Sequence, residues 1–139
     1  MKRSSCLSFM ERFQPYLIRS RSAEHVYNFE NAELIQHGKP AGQGCDRAIL
    51  KSDTCQLILV ECKNGYLSLS DFNRAIEQLT YSIGIVYRVF EEPPDLAVLC
   101  YEKLDPWVSS ALRSLKIFRT IREVRFIAEK FAGEFCKAC

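Results

Sequence analysis

At 139 residues the chain has room for one core and not for two domains of ordinary size. Apolar residues make up 47% and charged residues 26%, a balance that excludes a disordered chain, and no apolar run approaches the ~20 residues of a membrane span. A net charge of +2 excludes a uniformly basic nucleic-acid binder but conceals an asymmetry: residues 53–105 hold four Lys/Arg against nine Asp/Glu, and residues 113–139 hold seven against three. Seven cysteines behind a start, Met1 to Ser5, that lacks an apolar leader predict a cytoplasmic protein with reduced thiols, the odd count leaving at least one unpaired.

From Ser4 to Ile18, Leu7, Met10, Phe13 and Leu17 recur at helical intervals, and Pro15 is expected to interrupt that first helix. Residues 19–31 are polar and give no clear element. Ala32 to His37 suggests a short strand before the turn-rich segment Gly38 to Gly44. Cys45 to Leu50 and Cys55 to Lys63 then read as two strands of a hairpin about Lys51-Ser52-Asp53-Thr54, with Leu57 to Val60 apolar enough for a central strand and Asn64-Gly65 ending it. Behind the capping residues Ser68 to Asp71, the positions Phe72, Ile76, Leu79, Ile83, Val86 and Phe90 predict the clearest amphipathic helix. Pro93-Pro94 stops it, and Asp95 to Tyr101 reads as a buried strand, so that strand, helix and strand form a parallel crossover. Asp105-Pro106 caps a helix through Leu115, Lys116 to Arg119 suggests a short edge strand, and the capping-box pattern Thr120 to Glu123 opens a terminal helix reaching Gly133. The whole predicts a single α/β domain, residues 1–139.

Asp46 opens the first strand of the central hairpin, and Glu61 and Lys63, two residues apart, project from one face of the second. Paired carboxylates beside an ammonium suit Mg²⁺ or Mn²⁺, which prefer oxygen donors, and the Cys62 backbone carbonyl offers one more. Against this stands an ordinary Glu–Lys surface pair at a strand end.

Residues 45–83 carry more than the pair. The run Cys45-Asp46-Arg47-Ala48-Ile49-Leu50, the strand ending Glu61-Cys62-Lys63, and a helix bearing Gln78 and Tyr81 on one face resemble the core of the PD-(D/E)XK nuclease superfamily, which includes archaeal Holliday-junction resolvases and RecB-like nucleases. The resemblance implies a restriction-endonuclease-like three-layer core, a mixed β-sheet flanked by α-helices. It further implies metal-dependent hydrolysis of DNA phosphodiester bonds by a structure-selective or weakly specific nuclease, acting as a homodimer. Asp46 and Glu61 would ligate Mg²⁺ (or Mn²⁺), Lys63 would orient or help deprotonate water, and Gln78 and Tyr81 would support the site or contact the nucleic-acid backbone. Cys45 stands where the family has its Pro. A further Glu in relatives finds candidates here in Glu11, Glu24 and Glu33.

Arg113, Lys116, Arg119, Arg122 and Arg125 recur every third residue, a ridge able to follow a phosphate backbone or simply to face solvent. Cys136-Lys137-Ala138-Cys139 has the spacing of a zinc or dithiol motif but no second pair within the sequence, and is expected to be frayed, with a disulfide as the alternative. Cys45 and Cys55 flank the hairpin and are expected to face each other, Cys62 to pack on the opposite side, and Trp107 to anchor the core. Two rival readings remain: a non-catalytic nucleic-acid-binding or assembly protein with the nuclease fold, and a thiol or zinc protein built on the terminal cysteines.

Overall fold

A first helix, α1 (Arg3–Phe13), buries Cys6, Phe9 and Phe13 and passes into a 3₁₀ turn at Gln14–Tyr16, where Pro15 ends the α-helical ladder as its missing N–H dictates. The computed structural model describes residues 1–30, 32, 44–118, 120, 121 and 123–139, the side chains of residues 114–121 excepted. The predicted strand at Ala32 to His37 and most of the turn-rich segment lie outside the described residues.

Residues 19–31, unassigned from sequence, instead contribute most of a hairpin of β1 (Leu17–Arg21) and β2 (Glu24–Asn28), turning at Ser22 with φ 47°. Their polarity follows from position, since β1 is an edge strand and largely exposed. β2 pairs antiparallel with β3 (Arg47–Lys51), and β3 with β4 (Gln56–Leu67), in the register Arg47↔Val60 to Lys51↔Gln56. Asn64-Gly65 does not end β4: the strand absorbs a register shift between Lys63 and Tyr66, with Gly65 at φ 71°, and runs on to Leu67. Glycine tolerates that left-handed conformation, so the pair makes a bulge here and not a stop.

Helix α2 (Leu69–Phe90) begins at a capping box, the Ser68 hydroxyl accepting the Asp71 N–H at 3.1 Å while the Asp71 carboxylate accepts the Ser68 N–H at 3.3 Å. It returns the chain to β5 (Leu96–Leu104), parallel to β4. Helix α3 (Val108–Phe118) then leads past a two-residue strand β6 (Thr120–Ile121) to β7 (Val124–Lys130), parallel to β5. Among the described residues, seven strands lie in the order β1-β2-β3-β4-β5-β7-β6. Lys116 thus belongs to a helix and not to an edge strand. The terminal helix expected from Thr120 to Gly133 is a strand, because Val124, Phe126 and Ala128 alternate inward with period two; Val124 and Ala128 are also four apart, which made the segment resemble a helix. Glu123, the last residue of the apparent capping box, sits in a turn at φ 67°.

The main core lies between one sheet face and the helices. It contains Phe9 and Phe13 of α1, Leu79 and Ile83 of α2, Leu112 of α3, and the inward residues Leu50, Leu57, Leu59, Leu99 and Phe126 of the strands. A smaller cluster on the opposite face gathers Val26, Ile49, Ile58, Val60, Val98 and Cys100 under Phe131, Phe135, Cys136 and Ala138 of the C-terminal segment. The expected helices on both faces are therefore absent among the described residues. The path β4 to β5 to β7 moves one way across the sheet, and crossovers of the usual hand then land on one face. The described residues form a mixed α/β sheet with their helices on one side and a short 3₁₀ turn, Phe135–Ala138, on the other.

That turn corrects the picture of a frayed tail. Disulfides Cys62–Cys139 and Cys100–Cys136 fasten it to β4 and β5, leaving Cys6, Cys45 and Cys55 as free thiols, so four cysteines expected to be reduced are paired. Cys55 lies beside Cys6 and not Cys45, burial and that neighbour raising the Cys6 pKa to about 11. Trp107, 82% exposed, is no core anchor; it follows the β5 end, where Asp105 caps the entry to α3 through the Trp107 N–H at 3.0 Å.

Candidate carboxylate site between β3 and β4

An aromatic stack builds the approach to the site. Phe13 stacks on Phe9 at 4.3 Å and on Phe29 at 5.4 Å between ring centroids, and the Tyr27 and Phe9 rings meet near-perpendicular with centroids 5.3 Å apart. Phe29 just beyond β2 is thereby buried, and its N–H continues the ladder by donating to the Asp46 carbonyl at 3.1 Å. Glu30, the next residue, is delivered beside Asp46.

Asp46 precedes β3 and is interlocked with β4 by reciprocal hydrogen bonds. Its own N–H donates to Glu61 Oε1 at 3.0 Å, and its Oδ2 accepts the Cys62 N–H at 2.7 Å. Both are possible because β3 pairing stops at Arg47↔Val60, so the next residues of β4 present their backbone to Asp46. In an extended strand a residue's N–H and C=O leave on the same edge, so the Cys62 carbonyl faces Asp46 as well. One step before, the Cys45 N–H donates at 2.8 Å to the Ser82 hydroxyl, which donates in turn to the backbone carbonyl of Gln78 at 2.9 Å. Gln78 and Ser82 are buried on α2, and this chain of bonds ties the helix to the residue preceding Asp46.

Glu61 and Lys63 lie on the α2 face of β4, as their even spacing from Leu57 and Leu59 requires. Glu61 is only 1% exposed, and its Oε2 lies 3.2 Å from Lys63 Nζ. Burial, followed by the neighbouring Asp46 charge, lifts the Glu61 pKa to about 8 despite the Lys63 ammonium. Glu30 is raised for the same two reasons, burial first and then its contact with Asp46, with Arg47 and Lys63 opposing. Three carboxyl groups, Asp46, Glu61 and Glu30, thus crowd together beside two cations, Lys63 and Arg47, the latter held there by its 3.0 Å bond to the Asp46 carbonyl. The crowding favours anything that brings positive charge, a proton or a metal ion.

Of the residues singled out from sequence, Asp46, Glu61, Lys63 and the Cys62 carbonyl come together. Gln78 connects to them through Ser82, by its backbone, and Tyr81 is half-buried against the main core. Of the basic series, Arg113 lies on α3 and Arg125 on β7, while Arg119, Arg122 and the side chain of Lys116 lie outside the described residues. Glu11 is exposed on α1; Glu24 sits at the far end of β2 opposite Lys51; Glu33 is not described. Glu30 and Arg47 were missed. The apolar pair Val26-Tyr27 and buried Phe29 ahead of a lone acidic residue were the available signal for Glu30, and Arg47 simply follows Asp46.

Comparison with protein-family models, with curated proteins and with solved structures found no match to this chain. Among the described residues no helix is long and apolar enough to cross a membrane.

Proposed function

We propose that this chain is a divalent-metal-dependent nuclease of the restriction-endonuclease-like class, hydrolysing phosphodiester bonds in DNA. One observation carries the reading: Asp46 and Lys63, both half-buried, meet the buried Glu61, fifteen residues from Asp46 in sequence, at the point where β3 leaves β4. The donor set fits Mg²⁺ or Mn²⁺, being all oxygen: the Asp46 and Glu61 carboxylates, Glu30 beside them, and the Cys62 carbonyl. Glu61, its carboxyl raised to about 8, would give up its proton on holding a cation, so metal uptake is expected to strengthen as pH rises toward 8.

Such an ion, when bound, supplies a Lewis acid that acidifies water and offsets phosphoryl charge. The chain's own groups do the rest. Asp46 is held against rotation by the Cys62 N–H and Glu61 by the Asp46 N–H, and Lys63, 3.2 Å from Glu61 Oε2, would orient an attacking water and balance charge on the phosphate. Gln78 and Ser82 keep Cys45 and Asp46 in register with α2. Contacts from Tyr81, Lys116, Arg119 and Arg122 to the DNA backbone, and action as a homodimer, complete the proposal; with so few groups available for base readout, cleavage is expected to be structure-selective or weakly specific.

The test is incubation of supercoiled, linear, branched and single-stranded DNA with Mg²⁺ or Mn²⁺, beside Asp46→Asn, Glu61→Gln and Lys63→Ala variants. Cleavage is expected from the native chain and a loss of at least ~10²-fold from each variant. Cleavage persisting in all three refutes the site. Metal-independent DNA binding without cleavage refutes the enzyme and supports a binding or assembly role.

A further inference from the structure

Four of the seven cysteines, spread over 77 residues of sequence, meet on the sheet face away from the helices. Cys62 and Cys100 are register partners on the parallel strands β4 and β5, so their side chains leave the sheet on one face as neighbours. Cys136 and Cys139 are three apart across a 3₁₀ turn, a spacing at which side chains eclipse. The turn is held over the strands by more than sulfur: Glu129, register partner of Cys100 on β7, accepts the Phe135 and Cys136 N–H groups on Oε1 at 2.8 and 3.2 Å. Ligand atoms of Cys100, Glu129 and Cys136 all lie within 4.8 Å of one another. The Glu129 oxygen is already engaged by two N–H groups, which suits it to orient the turn and leaves ligation to sulfur.

We propose that these residues form a zinc site alternative to the disulfides: Cys62, Cys100, Cys136 and Cys139 hold one Zn²⁺ as a tetrathiolate when the chain is reduced. Paired as disulfides the sulfurs carry no thiolate and bind no metal. Two equivalents of a dithiol, each closing to its own disulfide, or of a phosphine, each taking oxygen from water to become the phosphine oxide, supply the four electrons, and the dithiol or the water supplies the four protons as the two S–S bonds open to four thiols. Zinc then displaces those four protons and makes four Zn–S bonds. Four sulfur donors select zinc over the hard cations suited to the carboxylate site, and a closed tetrahedral set is the structural kind. Cys62 links the two faces of β4, its backbone beside Asp46 and its sulfur in this cluster, yet the zinc site needs none of the carboxylates.

The full chain, reduced anaerobically with a phosphine, is titrated with Co²⁺ as a spectroscopic probe and then with Zn²⁺, with metal counted by native mass spectrometry. One thiolate-bound metal per chain is expected beyond any held by the carboxylates, with a tetrahedral thiolate cobalt spectrum that zinc bleaches. The oxidised chain gives no thiolate spectrum and one metal fewer. Cys136→Ser and Cys139→Ser each weaken binding roughly a hundredfold or more, whereas Cys45→Ser and the Asp46→Asn/Glu61→Gln double variant leave it unchanged. A reduced chain that stays folded by circular dichroism without binding zinc overturns the proposal. So does equal binding by the Cys139→Ser variant, or a reduced chain that unfolds and is not refolded by zinc.

Discussion

Replacing Glu61 by Gln in the metal-free protein removes a pH dependence whose size follows from its surroundings. The unfolded carboxyl titrates near 4.5 and the folded one near 8, because burial and Asp46 both disfavour its charge. Below the unfolded value both states hold the proton and folding carries no penalty. Between the two values the unfolded chain ionises while the folded chain keeps its proton, so stability falls as pH rises. Above 8 both are ionised and the loss levels off. The full shift corresponds to about 5 kcal/mol as a ceiling, at 1.36 kcal/mol per unit, and relaxation around the group brings the expected loss to about 2–5 kcal/mol. Urea denaturation in a chelator at about pH 5 and about pH 9 measures it, the Gln variant serving as reference since it cannot ionise. Glu30 contributes with the same sign in both proteins and cancels in the difference. Parallel profiles for native and variant chains refute the claim that Glu61 is buried against a second carboxylate.

Two further substitutions check the scaffold that aims these groups. Phe13→Ala leaves a void between Phe9 and Phe29, both fully buried, and is expected to lose about 3–5 kcal/mol by urea denaturation; a loss below about 1 kcal/mol places Phe13 outside the core. Ser68→Ala removes one half of the α2 capping box and is expected to cost about 1 kcal/mol, read as a lowered thermal midpoint with no change in metal uptake.

Much of the site was legible because its chemistry is local. Glu61 and Lys63 follow an apolar run on the same strand, period two puts them on one face, and the capping box and heptad-like spacing of α2 declare the helix behind them. What could not be read were contacts set by pairing partners. The hairpin β1–β2 hid in polar sequence because an exposed edge strand needs no apolar alternation, and with it went Glu30, which lies beside Asp46 only because Phe29 pairs beyond the end of β2 with Asp46. β7 imitated a helix, since inward residues at every second position also include pairs four apart, and only parallel pairing to β5 selects between the two periods.

The cysteines draw the same line. Sequence alone supplied their number and the terminal Cys-x-x-Cys spacing, quantities that bound the possible chemistry but name no partners. Tertiary structure decided that Cys62 meets Cys139 and Cys100 meets Cys136, because strand register and the fold-back of the last nine residues fix distances that sequence separations of 77 and 36 leave open. It decided the carboxylates likewise: the residue types announced a site, and the point where β3 stops pairing with β4 brought Asp46 to Glu61.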